Sequence, residues 1–196
     1  MKKIEIIWRE LLFQAIEKNN RHFTQKNLAE RFGFSTSTVF QALKIPRKMG
    51  AVKVTGRFFV LEDPEKLLYH WASVRNLKKD LILKGKVDLP ILEIEGQAPP
   101  QAIFGGYSAF RQKFKTAPAD YDKVLLYTPN KEIVAQRFKI EKGREDLFVF
   151  RADKFLKNYG PVTPLAQTFV DLWNLPDWYA KDFTKALKEK INELLP

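Results

Sequence analysis

Between Thr24 and Lys44 the sequence sets two helix-start signals on either side of one glycine, and few folds accommodate that arrangement. Thr24 can cap a helix over residues 25–32, with Asn27 at its third position and Leu28, Ala29 and Phe32 as its buried side. Gly33 suits a tight turn. Ser35 is a second N-cap, leading Thr36-Ser37-Thr38-Val39-Phe40-Gln41-Ala42-Leu43-Lys44. Helical spacing turns Val39, Ala42 and Leu43 inward and leaves Thr36, Ser37, Phe40, Gln41 and Lys44 outward. Two helices joined by so short a turn cross steeply, so the second can enter a DNA major groove while the first braces it. Pro46 removes a helical hydrogen bond and crowds the carbonyl of Ala42. A kink or an early end near Lys44 is therefore expected, which separates Arg47 and Lys48 from the base-contacting run.

The flanks extend the pattern. Over residues 4–16, Ile4, Ile7, Trp8, Leu11, Leu12, Ala15 and Ile16 recur at helical spacing, while Glu5, Arg9, Glu10, Glu17 and Lys18 are expected mostly on the other side. Asn19-Asn20 is a stop, and Phe23 an apolar staple ahead of the next helix. After Met49-Gly50, the β-rich runs 51–55 and 58–61 flank Gly56-Arg57 and read as a hairpin, with Arg57 at its tip and Lys53 on one strand. Asp63-Pro64-Glu65 then opens a helix over 64–77 that closes the module through Leu67, Leu68, Trp71 and Val74.

Chemically, Ser35, Thr36, Ser37 and Thr38 can reach phosphates or base edges without filling a groove. Gln41 carries the donor and acceptor pair that reads adenine bidentately. Lys44, Arg47 and Lys48 add attraction for the backbone, and Lys53 and Arg57 can grip phosphates or the minor groove from the hairpin. Charge follows the same division. Of the formal +11, residues 1–79 hold 16 Lys and Arg against 7 Asp and Glu, whereas the remainder holds 18 against 16. A phosphate-neutralising module has this asymmetry, and so does a basic surface selected for solubility.

With no cysteine and two histidines, His22 and His70, the chain lacks the residues for a disulfide framework, a thiolate metal site or a cysteine nucleophile. The start Met1-Lys2-Lys3-Ile4 is interrupted by Glu5, Arg9 and Glu10 before a secretory apolar core forms, so a cytoplasmic location is expected. No apolar run reaches the length of a membrane span.

The order of elements resembles the winged helix-turn-helix transcription regulators, and Leu28-Ala29-Glu30-Arg31-Phe32-Gly33-Phe34-Ser35-Thr36-Ser37-Thr38-Val39 carries the resemblance. It covers residues 4–77 and implies binding of double-stranded DNA. A helical hairpin used for protein contact is the alternative.

The second part opens near a boundary at 78–84, giving domains over residues 1–79 and 80–196. In the second, 108–114, 131–138, 164–175 and 181–195 read as helices and 124–128 and 147–151 as strands. The expected fold class is α+β, the N-terminal module being followed by a small mixed α/β domain. Gly105-Gly106-Tyr107-Ser108-Ala109, with Asp120-Tyr121-Asp122 ahead of a strand, is similar to the signature of small nucleotidyltransferases. That resemblance implies a phosphate cradle at the glycines and magnesium held by Asp120 and Asp122, with a third carboxylate from Asp146 or Asp153. A turn, a helix cap and an acidic loop give the same pattern.

A further resemblance spans more of the chain. The N-terminal module, the Gly-x-Ser-Ala helix, Leu126-Tyr127-Thr128-Pro129, Val162-Thr163-Pro164-Leu165 and Phe169-Val170-Asp171-Leu172-Trp173-Asn174-Leu175-Pro176 together resemble the AbiEi-type antitoxins of abortive-infection toxin-antitoxin systems. The resemblance implies a repressor of its own operon, paired functionally with a nucleotidyltransferase-like toxin, and a second domain with a degenerate nucleotidyltransferase-like outline. Such a regulator needs no catalysis and no cofactor. The competing reading is a minimal nucleotidyltransferase that uses its N-terminal module to bind nucleic acid. In the last helix, Phe183, Ala186, Leu187, Ile191, Leu194 and Leu195 form a stripe suited to packing on its own domain or to a homodimer contact.

Overall fold

A computed structural model describes residues 1–195, so Pro196, the end of the second expected domain, lies outside the described residues. It shows an α+β chain with nine α-helices and two small sheets among those residues. None of the described helices is long and apolar enough to cross a membrane. The described residues divide into two compact units, residues 1–75 with 189–195, and residues 76–188.

The first unit begins with α1 (Lys3–Glu17), followed by β1 (His22–Phe23), α2 (Gln25–Phe32), α3 (Thr36–Lys48), β2 (Val52–Thr55), β3 (Phe58–Leu61) and α4 (Pro64–Val74). Its sheet is antiparallel in the order β1-β3-β2. The expected staple residue Phe23 belongs to β1, where it pairs with Phe59 and stacks on its ring at 5.6 Å. A core of Ile7, Leu11, Leu12, Val39, Ala42, Leu43, Leu61, Leu67 and Trp71 joins the helices to one face of the sheet.

Two expectations for this unit are overturned. Glu5, Arg9 and Glu10 do not face water but are 3%, 0% and 1% exposed. Each has a partner that sequence spacing does not show. Glu5 Oε2 accepts from Trp71 Nε1 and Arg75 Nη1, both at 3.2 Å, Glu10 pairs with Arg31 at 3.0 Å, and Arg9 Nη1 lies 3.6 Å from Met1 Sδ. A buried charge is tolerated when an opposite charge and hydrogen bonds replace water. Nor does Pro46 end the helix, because α3 runs on to Lys48. The carbonyl of Ala42, four residues earlier, cannot receive an N–H from proline and receives the indole N–H of Trp8 at 2.7 Å instead.

The second unit starts with a 3-10 turn, Leu77–Asp80, and β4 (Leu81–Gly85), formed by the apolar run expected at the boundary. It continues through α5 (Ile91–Gly96), β5 (Ile103–Gly105), α6 (Gly106–Phe114), β6 (Val124–Thr128), α7 (Glu132–Ala135), β7 (Leu147–Arg151), α8 (Leu165–Trp173) and α9 (Ala180–Leu194), whose end counts with the first unit. Its sheet runs β4-β7-β6-β5, parallel only between β6 and β7. Alternation along the strands divides the side chains between two faces. Val124, Leu126, Leu147 and Val149 pack with Val87, Ile94, Val134 and Phe138 on one face, while Leu125 and Tyr127 are buried on the other, towards α6 and α8. The expected helix over 131–138 is shorter, covering only Glu132–Ala135.

Candidate nucleic-acid interface

The local geometry of α2 and α3 follows from their caps. Thr24 Oγ1 accepts from the amide of Asn27 at 3.1 Å, and Ser35 Oγ from that of Thr38 at 3.2 Å, so each helix start has a side-chain acceptor for an otherwise orphaned donor. Between them Gly33 adopts φ +60°, and Phe34 N returns to the carbonyl of Ala29 at 2.9 Å. That left-handed step ends α2 and redirects the chain into α3 with one residue between glycine and cap.

The two sides of α3 differ sharply. Val39, Ala42, Leu43 and Pro46 are buried, whereas Thr36, Ser37, Phe40, Gln41, Lys44, Arg47 and Lys48 are exposed. Ser37, Gln41, Lys44 and Lys48 follow one another at three- and four-residue steps, so they form a row along the helix. Because α3 passes through Pro46, Arg47 and Lys48 extend this surface by a turn. The hydroxyls of Ser35 and Thr38 lie 3.0 Å apart and serve the cap, and Thr38 is half-buried. Arg47 holds its guanidinium 6.0 Å from the ring centroid of Phe40.

In the β2–β3 hairpin, Gly56 has φ +63° and Thr55 Oγ1 donates to the carbonyl of Phe58 at 3.4 Å, which fixes a two-residue turn. Lys53 and Arg57 are exposed. Lys44, Lys48, Lys53 and Arg57 have no carboxylate partner among the described residues, so their charges are free to meet an external anion. Lys26, by contrast, is close to Glu30 at 3.9 Å. Sequence spacing does not show β1, which adds a third strand to the sheet alongside β3 through His22↔Val60 and Phe23↔Phe59.

The glycine pair and the acidic residues of the second unit sit differently. Gly105 ends β5 and Gly106 opens α6, both buried. A Cβ on Gly105 would lie 2.7 Å from Tyr127 Cε2, and one on Gly106, at φ +49°, 2.8 Å from Leu125 Cδ2. The missing side chains therefore make room for strand β6. Asp120 is exposed on the loop before β6; Asp122 Oδ1 accepts from the Tyr179 hydroxyl and Oδ2 pairs with Arg144. Asp146 Oδ1 accepts from Val87 N at 2.8 Å, and burial raises its carboxyl above the usual range. Asp153 Oδ1 accepts from Phe155 N at 3.1 Å. No group of three or more His, Asp or Glu among the described residues is arranged to hold a metal ion.

Behind this loop, Tyr107 donates to Asp177 at 3.0 Å and Lys123 pairs with the same carboxylate, while Glu95 accepts from Arg111 and Tyr121, each at 2.7 Å. Burial, reinforced by the neighbouring carboxylates, pushes the phenols of Tyr107 and Tyr121 up, which keeps them neutral donors. At the carboxyl ends of β6 and β7 a cleft of about 550 Å³ opens between Ile103, Pro129, Ala152, Lys154 and Lys157. No protein-family model, curated protein or solved structure matches this chain.

Proposed function

We propose that the protein is a transcription regulator whose first unit is a winged helix-turn-helix that binds double-stranded DNA. In this reading α3 enters the major groove and the β2–β3 hairpin is the wing. The observation that carries it is the exposed face of α3, where Ser37, Gln41, Lys44 and Lys48 stand in one row outside the core while α1 and α2 brace the opposite side. Short hydroxyls, an amide and ammonium groups are the side chains that contact base edges and phosphates. The unpartnered cations Lys53 and Arg57 supply backbone attraction from the wing.

The AbiEi-like motifs extend this to an antitoxin-like repressor of its own operon, with a toxin as functional partner. The second unit then senses a ligand, pairs two copies or meets that partner. Fluorescence anisotropy tests the reading with a duplex from upstream of the gene and a scrambled duplex, at two salt concentrations, for wild type and Gln41→Ala/Lys44→Ala. Preference for the upstream duplex, reduced in the variant, is the expected result. Equal, salt-sensitive binding to both duplexes reduces the protein to a general nucleic-acid binder, and no binding to either refutes the proposal.

A further inference from the structure

We infer that Phe40 reads the C5 methyl of a thymine in the major groove, beside the base pair addressed by Gln41. The inference rests on the DNA-binding reading and specifies what its α3 recognises. Phe40 is 44% exposed on the same face of α3 as Thr36, Ser37, Gln41 and Lys44. The core does not require it there, since Val39, Ala42 and Leu43 already fill the inner side with no exposed surface. A ring so placed gains free energy if an apolar group of a bound partner takes it out of water.

Chemistry narrows the cover to one base. A phenyl ring offers neither donor nor acceptor, and thymine alone presents a methyl group in the major groove. Over cytosine or guanine the ring would strip water from an amino or carbonyl edge and return no hydrogen bond, so the wrong base is penalised as well as the right one favoured. Geometry supplies the rest. The guanidinium of Arg47 lies 6.0 Å from the ring centroid, at the outer reach of a cation–π contact, so a cation stands beside the ring on the same surface. Phe40 and Gln41 are successive residues on the exposed side of α3, so both side chains can face one stretch of groove.

The test needs no variant at its first step. A binding site is selected from random duplex DNA, and each thymine in it is then replaced in turn by deoxyuridine, which removes the methyl and nothing else. For the wild-type protein, one replacement is expected to weaken binding about four-fold, the factor for burying one methyl-sized group. Phe40→Ala should bind the thymine and deoxyuridine duplexes equally, with an unchanged melting temperature showing that it is folded. If the protein selects a site and every deoxyuridine replacement is neutral, the Phe40 inference is overturned and DNA binding stands. If no site is selected and no duplex is bound, the regulator reading falls and the inference with it.

Discussion

Trp8 donates its indole N–H to the carbonyl of Ala42 at 2.7 Å, across 34 residues, and so serves the one acceptor in α3 that Pro46 leaves without its helical donor. The bond ties the first helix to the proposed recognition helix at the point where proline would otherwise break it. Trp8→Phe keeps most of the buried area and strands a buried carbonyl, which costs about 1–3 kcal/mol. In a Pro46→Ala background the new amide serves Ala42, and that part of the cost should disappear. Urea unfolding of the four proteins in a double-mutant cycle reads the coupling directly. An identical cost of Trp8→Phe in both backgrounds would show that the bond does not compensate for proline.

Gly105→Ala should destabilise the second unit by about 1–3 kcal/mol, the usual cost of forcing a methyl into a filled core. Its Cβ would meet Tyr127 Cε2 at 2.7 Å, and Tyr127 cannot give way easily because its hydroxyl donates to the buried Asp171 at 2.8 Å. Thermal unfolding measures this. A neutral Gly105→Ala would mean that the glycine is present for a reason other than packing.

The same two places show where sequence reading succeeds and where it stops. Thr24, Gly33, Ser35 and Asp63 act within three residues of themselves, so their caps and turn are legible from local order alone, and the structure has each of them. Pro46 is a local signal too, but its repair lies on another helix. The buried acids of α1 look solvent-facing by spacing for the same reason, since the cation facing Glu5 is 70 residues away. Strand β1 has two residues and no periodicity to read. Gly105-Gly106 is visible as a motif, yet its packing role depends on which side chains β6 brings opposite it.

Breaking the pair between Glu5 and Arg75 should be more harmful than removing it. Their side chains are 4% and 2% exposed, so Glu5→Leu or Arg75→Met alone leaves an uncompensated buried charge at about 3–5 kcal/mol. The double variant removes both charges and should lose clearly less than the two single losses added together. Denaturant midpoints compare the three proteins, and strict additivity would refute the pairing as the source of the effect.

His70 should make stability fall in mild acid. Burial lowers its pKa below the ordinary 6.5, its ring packs edge-on against Trp8 at 5.1 Å, and its Nε2 has no hydrogen-bond partner among the described residues. The unfolded chain therefore takes up the proton first as pH drops. Stability from the neutral ring is complete above 6.5 and is lost as pH falls from there through the lower folded value. Melting temperatures from about pH 8 to 5 should drop more steeply for wild type than for His70→Phe, which cannot titrate. Parallel curves would assign the acid sensitivity elsewhere.

Gln41 and Arg57 should fail in different ways if α3 and the hairpin divide recognition between them. Gln41 lies in the exposed row of α3 and has the donor and acceptor to match one base edge, so Gln41→Ala should cost about 1–3 kcal/mol on a selected site and little on scrambled DNA. Arg57 is an exposed cation at the turn of the hairpin and, as a phosphate contact, has no sequence to read. Arg57→Ala should therefore weaken binding to both duplexes alike and lower the slope of log affinity against log salt by about one. The salt slope distinguishes the two roles, because losing a neutral amide releases no counterion. If Arg57→Ala changed sequence preference while leaving the slope intact, the hairpin would be reading bases, and the assignment of specificity to α3 alone would have to be abandoned.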